Sequence, residues 1–269
     1  MFSLIEDNDL KYFVISKFKD FGFNAYFSTR QGGYSTGKYN SLNLGLHTTD
    51  NLDNVRKNRK KLAKSIGVNP VEFVAAEQIH GYGIYDVDKN DIGAGALKYK
   101  ESIPGVDALI TSERNIPLIS FYADCVPLML IDMEKKIISL AHAGWKGTVK
   151  KIGKKTVTYM NEKYNSDIND IYIAIGPSIS RDFYEVDSYI INQFESKYRH
   201  YKDFIVSKGK DRYMLDLWEA NIHSLKEAGI SEQNIIMSNL CTFKNKGLFY
   251  SYRREKGKTG RMASIIYMK

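Results

Sequence analysis

The 269-residue chain is 43% apolar and 26% charged, the balance of an ordinary globular protein, which excludes a disordered or fibrous chain. Its net charge of +8 suits anionic substrates but is dispersed and carries no nucleic-acid motif, so no nucleic-acid partner is expected. Two cysteines exclude a disulfide framework, no run nears the ~18 apolar residues of a membrane span, and the start turns acidic at Glu6 and Asp7, so a cytoplasmic protein without a membrane partner is expected.

Residues 12–18 and 22–29 alternate apolar and polar around Asp20 and Gly22 and predict a hairpin. Residues 31–43 are rich in Gly, Ser, Asn and Tyr and read as a loop. Residues 53–67 predict a helix with Val55, Leu62 and Ile66 on one face and Gly67 as its stop. Residues 71–76 predict a strand that delivers Gln78, Ile79 and His80. Residues 107–110, 117–131 and 136–142 read as buried strands, and 148–163 as a helix after the small-residue turn at 144–147. A strand over 172–175, a helix over 215–227, strands over 235–241 and 263–267, and an aromatic strand over 249–252 complete the reading. The order lacks a strict strand–helix rhythm. The expected class is therefore α/β in the α+β sense, a mixed β-sheet core with helices packed outside, as a single domain over 1–269. No glycine-rich phosphate cradle occurs.

The densest chemistry lies in Asp124-Cys125 and in His142-Ala143-Gly144-Trp145, on strands joined by a short polar turn. A hairpin centred near Glu134 sets Cys125 opposite His142 or Ala143, close enough to share one ligand. His80 completes a His₂Cys set. Three protein ligands with an open position form the catalytic zinc arrangement. With a nearby Met such as Met129, the same set suits copper. Without metal, Cys125 and His142 would make a nucleophile and its base, as in a Cys–His hydrolase. Five histidines are too few for a multicopper cluster.

The chain resembles the YfiH-type family over nearly its whole length. The likeness rests on Ser28-Thr29-Arg30-Gln31-Gly32-Gly33-Tyr34-Ser35, Ser41-Leu42-Asn43-Leu44-Gly45, Asn58-Arg59 and Gln78-Ile79-His80-Gly81. It continues through Ala123-Asp124-Cys125-Val126-Pro127, His142-Ala143-Gly144-Trp145, Gly176-Pro177, Cys241-Thr242, the Phe249 to Arg254 run, and Thr259-Gly260-Arg261. The family has carried a laccase-domain, multicopper polyphenol oxidoreductase description and is regarded as zinc-containing purine nucleoside phosphorylases with adenosine deaminase activity. The resemblance implies one zinc ion on His80, Cys125 and His142, and a purine nucleoside (adenosine, inosine, guanosine or methylthioadenosine) with phosphate as substrates. A single-copper polyphenol oxidoreductase is the rival within that description. Lys146, Ser178 and Tyr122 stand where the family commonly has Arg, Cys and Thr.

Phosphorolysis needs a seat for a phosphate dianion, for which Arg30, Arg59, Arg253 and Arg254 are the expected donors, with Arg261 a further tail arginine. Asn43 and Gln78 are expected at the base or ribose. Asp124 is expected either to carry protons during deamination or to hold a ligating histidine. Nothing in the sequence calls for a partner copy, so a monomer is expected.

Overall fold

The computed structural model describes residues 1–269. In chain order, β1 (Phe2–Asp7) and β2 (Leu10–Ile15) lead through α1 (Ser16–Asp20) to β3 (Phe23–Ser28). Next come α2 (Leu52–Ile66), β4 (Val74–Ala75), β5 (Ile84–Asp86) and β6 (Ala108–Thr111). The central run is β7 (Leu118–Tyr122), β8 (Val126–Asp132) and β9 (Ile137–Ala143), followed by α3 (Trp145–Val149), α4 (Ile152–Tyr164) and β10 (Ile171–Ile175). The rest is β11 (Glu185–Val186), α5 (Ser188–Glu195), β12 (Ile205–Gly209), β13 (Arg212–Leu215), α6 (Leu217–Lys226), β14 (Ile235–Met237) and β15 (Met262–Met268).

These strands form two six-stranded mixed sheets, ordered β1-β2-β3-β15-β7-β4 and β14-β10-β8-β9-β6-β5, and a small sheet β11-β13-β12. The mixed core with outer helices is as expected, with the difference that two large sheets share it. Period-two alternation explains the layering. In β8, Met129 and Ile131 point between the sheets, where they meet Leu118 of β7 and Ile266 of β15. Val126, Leu128 and Leu130 point the other way and are covered by α4 and α6 through Val157, Met160, Ala220 and Leu225. On the far side, α2 packs Leu62, Ala63 and Ile66 on Ile119, Phe121 and Ile265. Each such Leu or Ile contributes roughly 1.5–3 kcal/mol by leaving water. α2 stops where its sequence predicts, at Gly67 with a left-handed φ of 73°, and at its start the Asn51 side chain accepts from the amides of Asp53 and Asn54, a cap just ahead of the expected first residue.

Several expectations need correction. β2 and β3 do pair antiparallel, but α1 stands between them and β1 adds an outer strand. The strand at 71–76 shrinks to β4, because Pro70 opens a 3₁₀ turn. The helix expected over 148–163 begins earlier and is broken by a left-handed Lys151 into α3 and α4. Residues 249–252 form no strand; Phe249 and Tyr250 are buried in turns that pack on Phe13 and Phe27. The β8–β9 register sets His142 opposite Pro127 and Ala143 opposite Val126, so Cys125 lies just outside the ladder and not opposite His142 or Ala143. Met129 belongs to the inter-sheet core, so the expected neighbouring thioether donor for copper is spent on packing.

Candidate metal centre

Ile138 and Leu140 of β9 face the gap between the sheets. By alternation His142 faces the same way, at the end of the strand where that gap opens. Tyr122, the last residue of β7, flanks its ring, with centroids 5.6 Å apart. The chain then enters β8 through Asp124, at a left-handed φ of 85°, which lets Cys125 turn toward the histidine although it is outside the ladder. His80 arrives from the segment after β4, also left-handed, at φ 60°. The ligating atoms of His80, Cys125 and His142 all lie within 4.8 Å of one another. Cys125 Sγ is 3.9 Å from His80 Nε2, and the two imidazole rings meet edge to face at 4.8 Å.

This donor set fits one ion. Two imidazoles and a thiolate are the ligands of a three-coordinate protein site with an open position. The approach is cleared by Gly144, where a Cβ would sit 3.0 Å from His80 Cδ2 and 3.1 Å from Cys125 Sγ. No second group of three His, Cys, Asp or Glu side chains converges elsewhere, so a multicopper cluster has no ligands here. Burial pushes the Cys125 thiol up, and the two histidines outweigh it and hold it below its ordinary value. Burial pulls His142 down, and Cys125 with Asp107 outweighs it in the opposite direction.

Asp107, which sequence reading treated only as the start of a strand, touches both histidines. Its Oδ1 lies 2.8 Å from His142 Nδ1 and 2.9 Å from the His80 amide nitrogen, and its Oδ2 accepts from the Gly81 amide at 2.6 Å. No local signal could have found it, since an Asp ahead of an apolar strand reads as turn chemistry. Asp124 does not hold a histidine. Its Oδ1 accepts from Thr242, and its Oδ2 accepts from Ser251 and the Arg253 amide. Burial pushes its carboxyl up against those donors. With three donors held by its two oxygens and neither histidine among them, Asp124 anchors the 251–253 turn.

The centre lies on the wall of a cavity of about 560 Å³, the size of a small-ligand site. Aromatic and apolar side chains, among them Phe121, Tyr99, Tyr184 and Trp145, line it together with three cations, Lys146, Arg253 and Arg261. Arg253 donates one Nη to the Glu185 carbonyl and lies over Tyr184. Arg261 donates one Nη to the carbonyls of Thr259 and Gly260 and lies over Tyr252. The remaining donors of both forks are uncommitted. His47 also faces the cavity, between Tyr99 and Phe121. The dense protein around it, with Arg261, holds its pKa down at about 3, so it is neutral.

Four residues expected at the phosphate or base lie outside this cavity. Arg30 donates to the carbonyls of Asn40 and Lys246 and pairs with Glu255. Arg59 is buried and spends its fork on the carbonyls of Leu44, Gly95 and Ala96. Arg254 holds the carbonyls of Thr242, Phe243 and Phe249. Asn43 binds Thr48, Asp50 and the amides of Gly45 and Arg261. These are loop clamps: each supplies several donors or acceptors to backbone that has no ladder partner. Gln78 does line the cavity, but its amide exchanges two hydrogen bonds with the Phe121 backbone.

A family model described as multi-copper polyphenol oxidoreductase laccase matches residues 24–269. The purine nucleoside phosphorylase YlmD of Bacillus subtilis is 40% identical over 245 residues, covering 91% of this chain and 88% of that one. The protein of the same name from Geobacillus stearothermophilus is 37% identical over 240 residues, 89% of this chain and 88% of its own. The crystal structure of the Bacillus licheniformis hypothetical protein YfiH superposes with a TM-score of 0.95 at 34% identity, over 100% of this chain and 99% of that one. The crystal structure of the Geobacillus YlmD gives 0.94 at 33% identity, over 99% of this chain and 98% of that one.

Proposed function

This chain belongs to the multi-copper polyphenol oxidoreductase laccase family, and within that family we propose that it is a zinc-dependent purine nucleoside phosphorylase with adenosine deaminase activity at the same centre. The observation that carries the reading is the meeting of a one-ion His₂Cys set with Lys146, Arg253 and Arg261 around one cavity. Relatives that are 34–40% identical carry the name purine nucleoside phosphorylase, which supports the phosphorylase part of the reading.

In phosphorolysis a phosphate oxygen bonds to C1′ of the ribose while the C1′–N9 bond breaks. The bonding pair stays on the purine, which takes up a proton matching the one that the attacking hydrogen phosphate gives up and so ends as free base, and the sugar leaves as ribose 1-phosphate. Arg253 and Arg261 have spare N–H donors for the dianion, and Lys146 adds a point charge. The aromatic walls suit the flat base and exclude water from the forming oxocarbenium character. Neutral His47 can exchange one hydrogen bond with the substrate without adding charge. His80, Cys125 and His142 would hold the zinc ion, which when bound would supply Lewis acidity for phosphorolysis and water activation for deamination. Zinc is favoured over copper because the thioether expected for a copper site is packed elsewhere.

The test is turnover of adenosine and inosine with and without phosphate, with chromatography of the products and elemental analysis of the native protein. Phosphate-dependent release of adenine or hypoxanthine with about one zinc per chain is expected. Release of base that ignores phosphate, or inosine as the only product from adenosine, sinks the phosphorylase assignment.

A further inference from the structure

We infer that Asp107 is the positioning residue of the metal centre, a single carboxylate that fixes the donor nitrogen of one histidine and the backbone of the other. The inference rests on reading His80, Cys125 and His142 as the ligands.

Asp107 is buried, 1% exposed, at the entry to β6. It makes four contacts to the ligand-bearing segments. Its backbone carbonyl accepts from the His142 amide at 2.8 Å, and its Oδ1 receives His142 Nδ1–H. Its side chain also accepts from the amides of His80 and Gly81. A carboxylate can only accept, so the one N–H of a neutral His142 must sit on Nδ1, and the Nε2 lone pair is left for the ion. A ring of the other tautomer would turn an N–H on the metal and a lone pair on the carboxylate.

The same carboxylate restrains His80 through its backbone. A left-handed conformation is unfavourable for a residue with a Cβ and persists only where surrounding contacts impose it. Two amides in succession, at 80 and 81, donate to the two oxygens of Asp107 and impose it here. Gly81 admits this approach, since a Cβ there would sit 3.2 Å from Oδ2. Two ligands distant in sequence are thus tied to one side chain. Removing its charge should disturb the His142 tautomer and the His80 turn together.

Asp107→Asn keeps the shape and removes this property. If its oxygen faces His142, its amide nitrogen meets the Gly81 N–H, donor against donor. If it is flipped, it donates toward His142 and favours the tautomer that cannot ligate. The experiment measures zinc and cobalt affinity of wild type and variant by chelator competition, records the visible spectrum of the cobalt forms, and follows unfolding of the metal-free proteins. The expected result is about 10–100-fold weaker binding of both ions, the usual effect of losing such a partner. An altered cobalt spectrum and metal-free unfolding close to wild type should accompany it. Equal affinity and an identical spectrum overturn the inference. Weaker binding with an unchanged spectrum and a matching loss of metal-free stability also overturns it, because Asp107 then serves the fold alone. If wild type binds neither ion, the metal-centre reading itself fails, which the wild-type arm reveals separately.

Discussion

Gly144→Ala adds one methyl group and tests how closely the centre is built. Gly144 has φ −68° and ψ 172°, extended backbone open to any residue, so the substitution carries no backbone penalty. Its Cβ would lie 3.0 Å from His80 Cδ2 and 3.1 Å from Cys125 Sγ. Favourable separations for such atoms begin near ~3.5 Å, so each ligand must retreat by about half an ångström. Ligand distances in a metal site tolerate only about 0.2 Å. On folding stability two effects oppose. Alanine restricts the unfolded chain and contributes about 0.4–1 kcal/mol, whereas overpacking costs about 1–3 kcal/mol. The net is a loss of about 1 kcal/mol, or about 2–4 °C in Tm. The effect on metal should be larger in proportion, about 10–100-fold in affinity, comparable with losing an orienting partner. Chelator competition on the purified protein, with thermal unfolding of the metal-free form beside it, separates the two. Wild-type zinc affinity in the alanine variant would refute the proposed ligand set or its closeness to Gly144.

Cys125→Ser should lose most bound zinc and most turnover, measured by elemental analysis beside chromatography of the products. Arg253→Ala and Arg261→Ala should each lower phosphorolysis about 10–100-fold, since a charge-assisted hydrogen bond contributes roughly 1.5–3 kcal/mol. Zinc content should be unchanged in both, and deamination should fall much less in Arg253→Ala. Arg254→Ala, whose guanidinium holds three backbone carbonyls, should instead lower the denaturant midpoint, with any loss of rate following stability. Glu255→Gln probes the tail through pH. Burial raises the Glu255 carboxyl, but Thr259, Arg254 and the Ser251 amide outweigh it and hold the carboxyl below its ordinary value. A carboxylate depressed on folding contributes stability that is full above the unfolded value of about 4.3 and is lost as pH falls through the folded one. The variant should therefore be less stable at neutral pH and lose less on acidification, read as Tm against pH.

The sequence alone was enough for the class of fold and the three candidate ligands. The near-continuous apolar stretch within 117–131 reads as strand buried on both faces, and Gly67 stops α2 by capping chemistry that is local by nature. His80, Cys125 and His142 were legible because a thiol and imidazoles beside apolar strands carry chemistry that packing does not require. The tertiary structure decided the rest. An arginine looks the same in sequence whether its fork faces a cavity or a run of carbonyls, so Arg30, Arg59 and Arg254 were indistinguishable from Arg253 and Arg261 until the loops were folded. Met129 could be a ligand or core until the two sheets closed over it. Asp107 and Asp124 exchanged their expected importance for the same reason. A hydrogen-bond acceptor is defined by the donors that reach it, and those of Asp107 come from residues 80, 81 and 142, which only the pairing of β6 with β5 on one side and β9 on the other brings together.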